Sequence, residues 1–248
     1  MSRDITTIPP VAANERVRYG DEASQFFDLF LPQNESRGSA VMIHGGFWRA
    51  MYDLLHASHV CAALAHEGIA TANLEYRRVG ESGGGWPGTY EDVVAGFDAA
   101  QKRLGPNIVV LGHSAGGHLA LRLAADRRAS GVVALAAVAD LKLGYELNLS
   151  DGAVSEFLGG APEAIPERYL NADPCSHPSS VRRCLIHGEE DDTVPIALSR
   201  SYMKARAADQ PEIVLKTVHG GHLDLIDPES GSAWDLVLKT VKAFVEMK

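Results

Sequence analysis

Ser114 has the surroundings of a catalytic nucleophile. It lies in Gly112-His113-Ser114-Ala115-Gly116, a G-x-S-x-G pattern after the apolar run Ile108 to Leu111 and before a segment of helical spacing that starts at Ala115. A strand-to-helix turn this tight needs glycine on either side, because a Cβ would collide with the folded-back chain. The serine is thereby pushed out at a helix N-terminus, whose free N–H groups favour developing negative charge.

A serine hydroxyl is a weak nucleophile at neutral pH, so it needs a base and a carboxylate to orient that base. For a nucleophile on such a turn the chain order is serine, then acid, then histidine. Downstream of Ser114 stand His118, His177, His187, His219 and His222. His118 sits in the following helix and points away from the turn, His177 falls in an irregular stretch, and His187 ends a strand. The pair in His219-Gly220-Gly221-His222 follows the last strand; His222 is the favoured base, with His219 next. The acid is expected in His187-Gly188-Glu189-Glu190-Asp191-Asp192-Thr193-Val194-Pro195. Asp191, at mid-loop, is favoured over Asp192, which with Thr193 is near enough to the next helix to cap it.

Acyl transfer also needs donors for an oxyanion. The N–H of Ala115 is one, and the loop His44-Gly45-Gly46-Phe47-Trp48, after an early strand, supplies the second from Phe47 or Gly46. His44 precedes the serine and reads as a brace for that loop. Trp48, His113 and Asp140 are the expected substrate-binding residues. His56 and His59 read as surface histidines without a third metal ligand, and Arg77 and Arg78 as solvated or paired with acids. No G-x-x-x-x-G-K-[ST] occurs, and Gly83-Gly84-Gly85 lacks a dinucleotide-binding context. No cofactor and no metal is expected.

These groups require an α/β scaffold, and the chain reads as one. Its 248 residues are 46% hydrophobic and 22% charged, an ordinary globular composition. Apolar runs at Ala40 to Ile43, Ile69 to Leu74, Ile108 to Leu111, Val132 to Val138, Cys184 to Ile186 and Ile213 to Val218 predict buried, mostly parallel strands. Gln25 to Leu31 reads as an antiparallel or edge strand, and an N-terminal hairpin brings the sheet to about eight strands. Helices on both faces are predicted over Asp53 to Glu67, Pro87 to Leu104, Ala115 to Arg128, Pro195 to Ala208 and Ser232 to Met247. Asp53 and Ser232 are the expected caps, Gly68 and Gly105 the stops. Asp140 to His177, rich in glycine and proline, reads as a lid-like insertion in a single domain.

Through Gly112 to Gly116, His44-Gly45-Gly46-Phe47-Trp48 and the acid loop, the chain resembles the α/β-hydrolase superfamily, and in it the kynurenine formamidase-like branch of esterases and arylformamidases with an H-G-G-x-W motif. Tyr19-Gly20, Ser24-Gln25 and Asp28-Leu29 are similar to that branch's N-terminal strand segment. The resemblance implies the α/β-hydrolase fold, with Asp191 as acid and His222 as base. Phe47 departs from the branch, where tyrosine is frequent. Glu75-Tyr76-Arg77-Arg78 and Gly83 to Pro87 resemble bacterial relatives whose substrates the family pattern does not settle.

The expected activity is cleavage of a small-molecule ester or amide through an acyl-enzyme. The rivals are a peptidase of the prolyl oligopeptidase type and a ligand-binding protein of the same fold without catalysis. A net charge of −9, from 23 basic and 32 acidic residues, argues against nucleic acid or an anionic membrane as partner. Three scattered cysteines and an N-terminus without a secretory signal fit a cytoplasmic protein, and no apolar run reaches the length of a membrane span. A homodimer stays open.

Overall fold

A computed structural model describes residues 3–126, 129–211 and 213–247. Its centre is an eight-stranded sheet made of β1 (Glu15–Arg18), β2 (Phe26–Phe30), β3 (Gly38–Ile43), β4 (Ile69–Leu74), β5 (Ile108–His113), β6 (Gly131–Leu135), β7 (Arg183–Gly188) and β8 (Val214–Val218). The spatial order is β1-β2-β4-β3-β5-β6-β7-β8. The N-terminal hairpin β1–β2 joins antiparallel through β2 to β4, and every pairing from β4 to β8 is parallel.

Helices cover both faces, as side-chain alternation on the strands demands. Val41 and Ile43 share a core with α2 (Gly88–Leu104) and α3 (Ala115–Asp126), whereas Ala40 and Met42 share one with α1 (Ser58–His66) and α8 (Ser232–Glu246). Between β6 and β7 the chain forms three short helices, α4 (Leu141–Glu146), α5 (Ala153–Leu158) and α6 (Pro166–Ala172); α7 (Ala197–Ala205) links β7 to β8. Among the described residues no helix is long and apolar enough to cross a membrane.

Several local expectations shift. β6 stops at Leu135 and not at Val138, because Ala136 takes a left-handed φ of 45° and 136–139 runs under the serine turn, where Val138 N–H donates to Ser114 O at 3.2 Å. β8 is an edge strand and carries exposed and half-buried side chains, so its apolar run is not a buried one. Ser232 is the first residue of α8; the side chain that serves this helix start is Ser230, whose hydroxyl accepts the Trp234 N–H at 3.1 Å. Asp53 does cap, accepting the Leu55 N–H at 2.9 Å, but into a 3₁₀ turn ahead of α1. The predicted end of the third helix at Arg128 lies outside the described residues.

Candidate active site

β5 delivers Ser114 to the carboxyl edge of the sheet, and the turn there is as tight as the glycines imply. Ser114 holds a left-handed φ of 55°. A Cβ on Gly112 would stand 2.2 Å from Gly116 O, and one on Gly116 would stand 2.1 Å from Ile43 O. Both positions therefore exclude a side chain. Ala115 opens α3, so its N–H is one of the amides a helix start leaves without an intrahelical acceptor.

The loops after β7 and β8 meet beside this turn. Glu190 N–H donates to Gly220 O at 3.0 Å, and a Cβ on Gly188 would stand 2.3 Å from the same oxygen. This close approach brings His222 Nδ1 within 2.8 Å of Asp191 Oδ2. The other carboxylate oxygen of Asp191 accepts the N–H groups of Thr193 at 3.0 Å and Val194 at 2.8 Å. Burial works to raise the Asp191 pKa, but hydrogen bonds from His187 and His222 outweigh it and hold the group below the usual carboxylate range. An ionised Asp191 can only accept, so Nδ1 of His222 carries the proton and Nε2 keeps a lone pair. Asp192 is exposed and accepts from Thr193 Oγ1 at 3.2 Å, while His219 turns outward beside Glu190.

Ser114 and His222 line one cavity of about 260 Å³ together with Gly46, Phe47, Tyr52 and His56. The glycine loop above it has three successive left-handed residues, Gly46, Phe47 and Trp48, with φ of 113°, 52° and 58°. Left-handed backbone at two non-glycine residues is strained, and strain of this kind persists only where the surroundings impose it. Here a buried network does so. His44 Nε2 lies 2.9 Å from Glu75 Oε1 and its Nδ1 lies 2.7 Å from Gly45 O, while Arg78 pairs with Glu75 at 3.3 Å and donates to Tyr52 O at 2.6 Å. His44 is thus a brace for the loop.

The three expected substrate-binding residues separate. His113 lines the cavity, and its Nε2 lies 3.0 Å from the backbone oxygen of His222. Since a carbonyl only accepts, Nε2 donates; burial, with His222 nearby, holds the His113 pKa well below its usual value and keeps the ring neutral. Trp48 lies instead in the core, stacked on Phe157 at 4.5 Å between ring centres, because its left-handed backbone turns the indole inward. Asp140 also departs from the expectation: it caps α4 through Leu143 N–H at 2.8 Å and accepts from Ser201 Oγ.

Asp140, Asp173 and Cys175 each offer a ligand atom within 4.8 Å of the others. Protein donors already engage both carboxylates, since Asp173 accepts from Leu141 N–H at 3.1 Å and Cys175 N–H at 2.9 Å. Burial raises the Asp173 pKa to about 6. A raised carboxylate binds more protons folded than unfolded, so stability falls as pH climbs from about 4 to about 6, by about 3 kcal/mol at 1.36 kcal/mol per pKa unit. Asp173→Asn is expected to abolish that component, read as the change in urea midpoint between the two ends of the window.

Other cavity residues carry no signal in the sequence. His56 is no surface histidine: it lines the cavity, and burial with His44 nearby lowers its pKa to about 4. Asp4, Thr6, Thr193 and Leu223 complete the wall. Arg77 pairs with Asp92 at 2.7 Å.

Residues 27–205 match the family BD-FAE. The chain belongs to that family. Among solved structures it is similar to a truncated carbohydrate esterase from gut microbiota, with a TM-score of 0.79 and 19% identity, covering 96% of this chain and 99% of that one. It is likewise similar to a phosphonate-inhibited esterase B from Lactobacillus rhamnosis, TM-score 0.76 and 20% identity, over 95% of this chain and 87% of that one. A third is an acetyl ester-xyloside bifunctional hydrolase from Caldicellulosiruptor lactoaceticus, TM-score 0.74 and 20% identity, over 94% and 96%. No curated protein matches the sequence significantly. The architecture of this BD-FAE member is the α/β-hydrolase fold.

Proposed function

We propose that the protein is a serine carboxylesterase for small neutral esters. The observation that carries the reading is the hydrogen bond from His222 Nδ1 to the buried carboxylate of Asp191, at the wall of the cavity that Ser114 lines. His222 Nε2 takes the Ser114 proton as Oγ forms a bond to the ester carbonyl carbon. The N–H of Ala115 and that of Phe47 or Gly46 stabilise the resulting oxyanion. Collapse breaks the bond to the alcohol oxygen, which leaves with the proton from His222. Water, deprotonated by the same imidazole, then releases the acid and restores Ser114.

Ester is favoured over N-formyl arylamide by the charge of the cavity. Among the described residues its lining holds the Asp4 carboxylate and no lysine or arginine, so a substrate with its own carboxylate, such as N-formylkynurenine, meets no cation there. The kcat/KM for p-nitrophenyl acetate is expected to exceed that for N-formylkynurenine; the reverse order would assign the formamidase reaction. Labelling of Ser114 by a fluorophosphonate, read as a shift in intact mass, is expected as well. An unlabelled protein would instead be a binding protein on this fold. In this reading Asp140 to His177 is an insertion within a single domain, packed through Phe157 on Trp48.

A further inference from the structure

The N-terminal segment has no part in the chemistry above, yet it lines the site. Ile5 is 0% exposed and packs in the same core as Ala57, Leu225 and Ile226, which roots the segment between α1 and the loop after β8. Arg3 grips that loop: its Nε and Nη2 donate to the two oxygens of Asp227 at 3.0 and 2.5 Å, and Nη1 donates to Glu229 at 2.6 Å. Further along, Val11 N–H donates to Ser58 Oγ at 3.0 Å. Between these anchors, Asp4 accepts from the Thr6 N–H and hydroxyl at 3.0 and 2.6 Å, and both residues line the Ser114 cavity.

A second hollow of about 820 Å³ adjoins this cavity and is bordered by Arg3, Glu190 and Asp224. Asp4, Thr193, His222 and Leu223 line both spaces. Arg3 borders only the larger space and Thr6 only the smaller, with Asp4 common to both, so the segment runs along the boundary between them, and Ser114 lines the smaller.

We propose that residues 3–8 are a fixed strap that limits the size of substrate reaching Ser114, and that Arg3 is the positioning residue that latches it to the loop carrying His222. The inference rests on the esterase reading for its substrate, but not for the strap itself. A bidentate guanidinium–carboxylate pair fixes direction as well as distance. Loss of Arg3 frees the start of the strap, residues 3 and 4, while Ile5 keeps its root in the core; Asp4, which lines both spaces, can then turn away and the two spaces merge.

Two measurements on Arg3→Ala test this. The first is the ratio of kcat/KM for p-nitrophenyl octanoate to that for p-nitrophenyl acetate. It is expected to rise at least about ten-fold, the smallest discrimination that a single methylene confers in a closed pocket, with Arg3→Lys between the two because an ammonium cannot bond both oxygens at once. A ratio, unlike a rate, is indifferent to any general disturbance of His222. The second dispenses with hydrolysis: in Ser114→Cys, the relative rates of modification by benzyl and methyl methanethiolsulfonate report the size of what reaches position 114. The unsubstituted chain is the blank, with Cys61 and Cys184 buried and Cys175 half-buried. The benzyl-to-methyl ratio is expected to rise on Arg3→Ala. Unchanged thiol ratios would overturn the strap whatever the esterase assays show. A raised thiol ratio in a protein without ester hydrolysis would uphold the strap and overturn the esterase reading.

Discussion

Ser114→Ala is expected to lower kcat on p-nitrophenyl acetate by about 10⁶-fold, the scale on which removal of a serine nucleophile acts. In the proposed mechanism the loss is this large because the hydroxyl, its base and the oxyanion donors operate as a unit. Without Oγ the imidazole has no proton to take and no acyl-enzyme forms. The fold should survive: the turn is held by backbone bonds, Ser114 N–H to Leu135 O at 2.8 Å and His118 N–H to Ser114 O at 3.2 Å, which alanine retains. Circular dichroism and thermal midpoint are the controls. Hydrolysis at the parental rate in a folded Ser114→Ala protein would falsify the assignment of the nucleophile.

Asp191→Asn is expected to cost about 10⁴-fold in kcat, against almost nothing for Asp192→Asn. The asymmetry follows from geometry. The amide oxygen of an asparagine at 191 can still accept from Thr193 and Val194 N–H, which leaves its NH₂ facing His222 Nδ1. The ring's Nδ1 must then accept, the proton moves to Nε2, and the imidazole can no longer take the serine proton. Asp192 stands apart from this pair; its side chain meets Thr193 Oγ1. Equal losses in the two variants would remove Asp191 from the role of acid.

What the residue order alone determined is the part of the molecule governed by short-range chemistry. Ile69 to Leu74 reads as a strand and is one, and Ile108 to Leu111 reads as the strand that leads into the Ser114 turn, which the structure extends to His113; Gly112 and Gly116 are the residues that the turn's backbone contacts allow. The acid loop and the loop after β8 were likewise recognisable from glycine and acidic residues next to strand ends.

Choices among like residues were settled by tertiary structure. His219 and His222 lie on one short loop, and only the docking of Glu190 and Gly188 against Gly220 turns one ring toward Asp191 and the other to solvent. Trp48 follows a glycine pair as a pocket residue would, yet a left-handed φ of 58° sends it to Phe157. The N-terminal strap was the least legible element. Arg3 and Asp227 are 224 positions apart, and no local pattern encodes a pairing that exists only once the sheet has brought both ends of the chain to the same edge. Backbone sterics act between neighbours in sequence and so are written there, whereas a cavity wall is assembled from side chains that become neighbours only on folding.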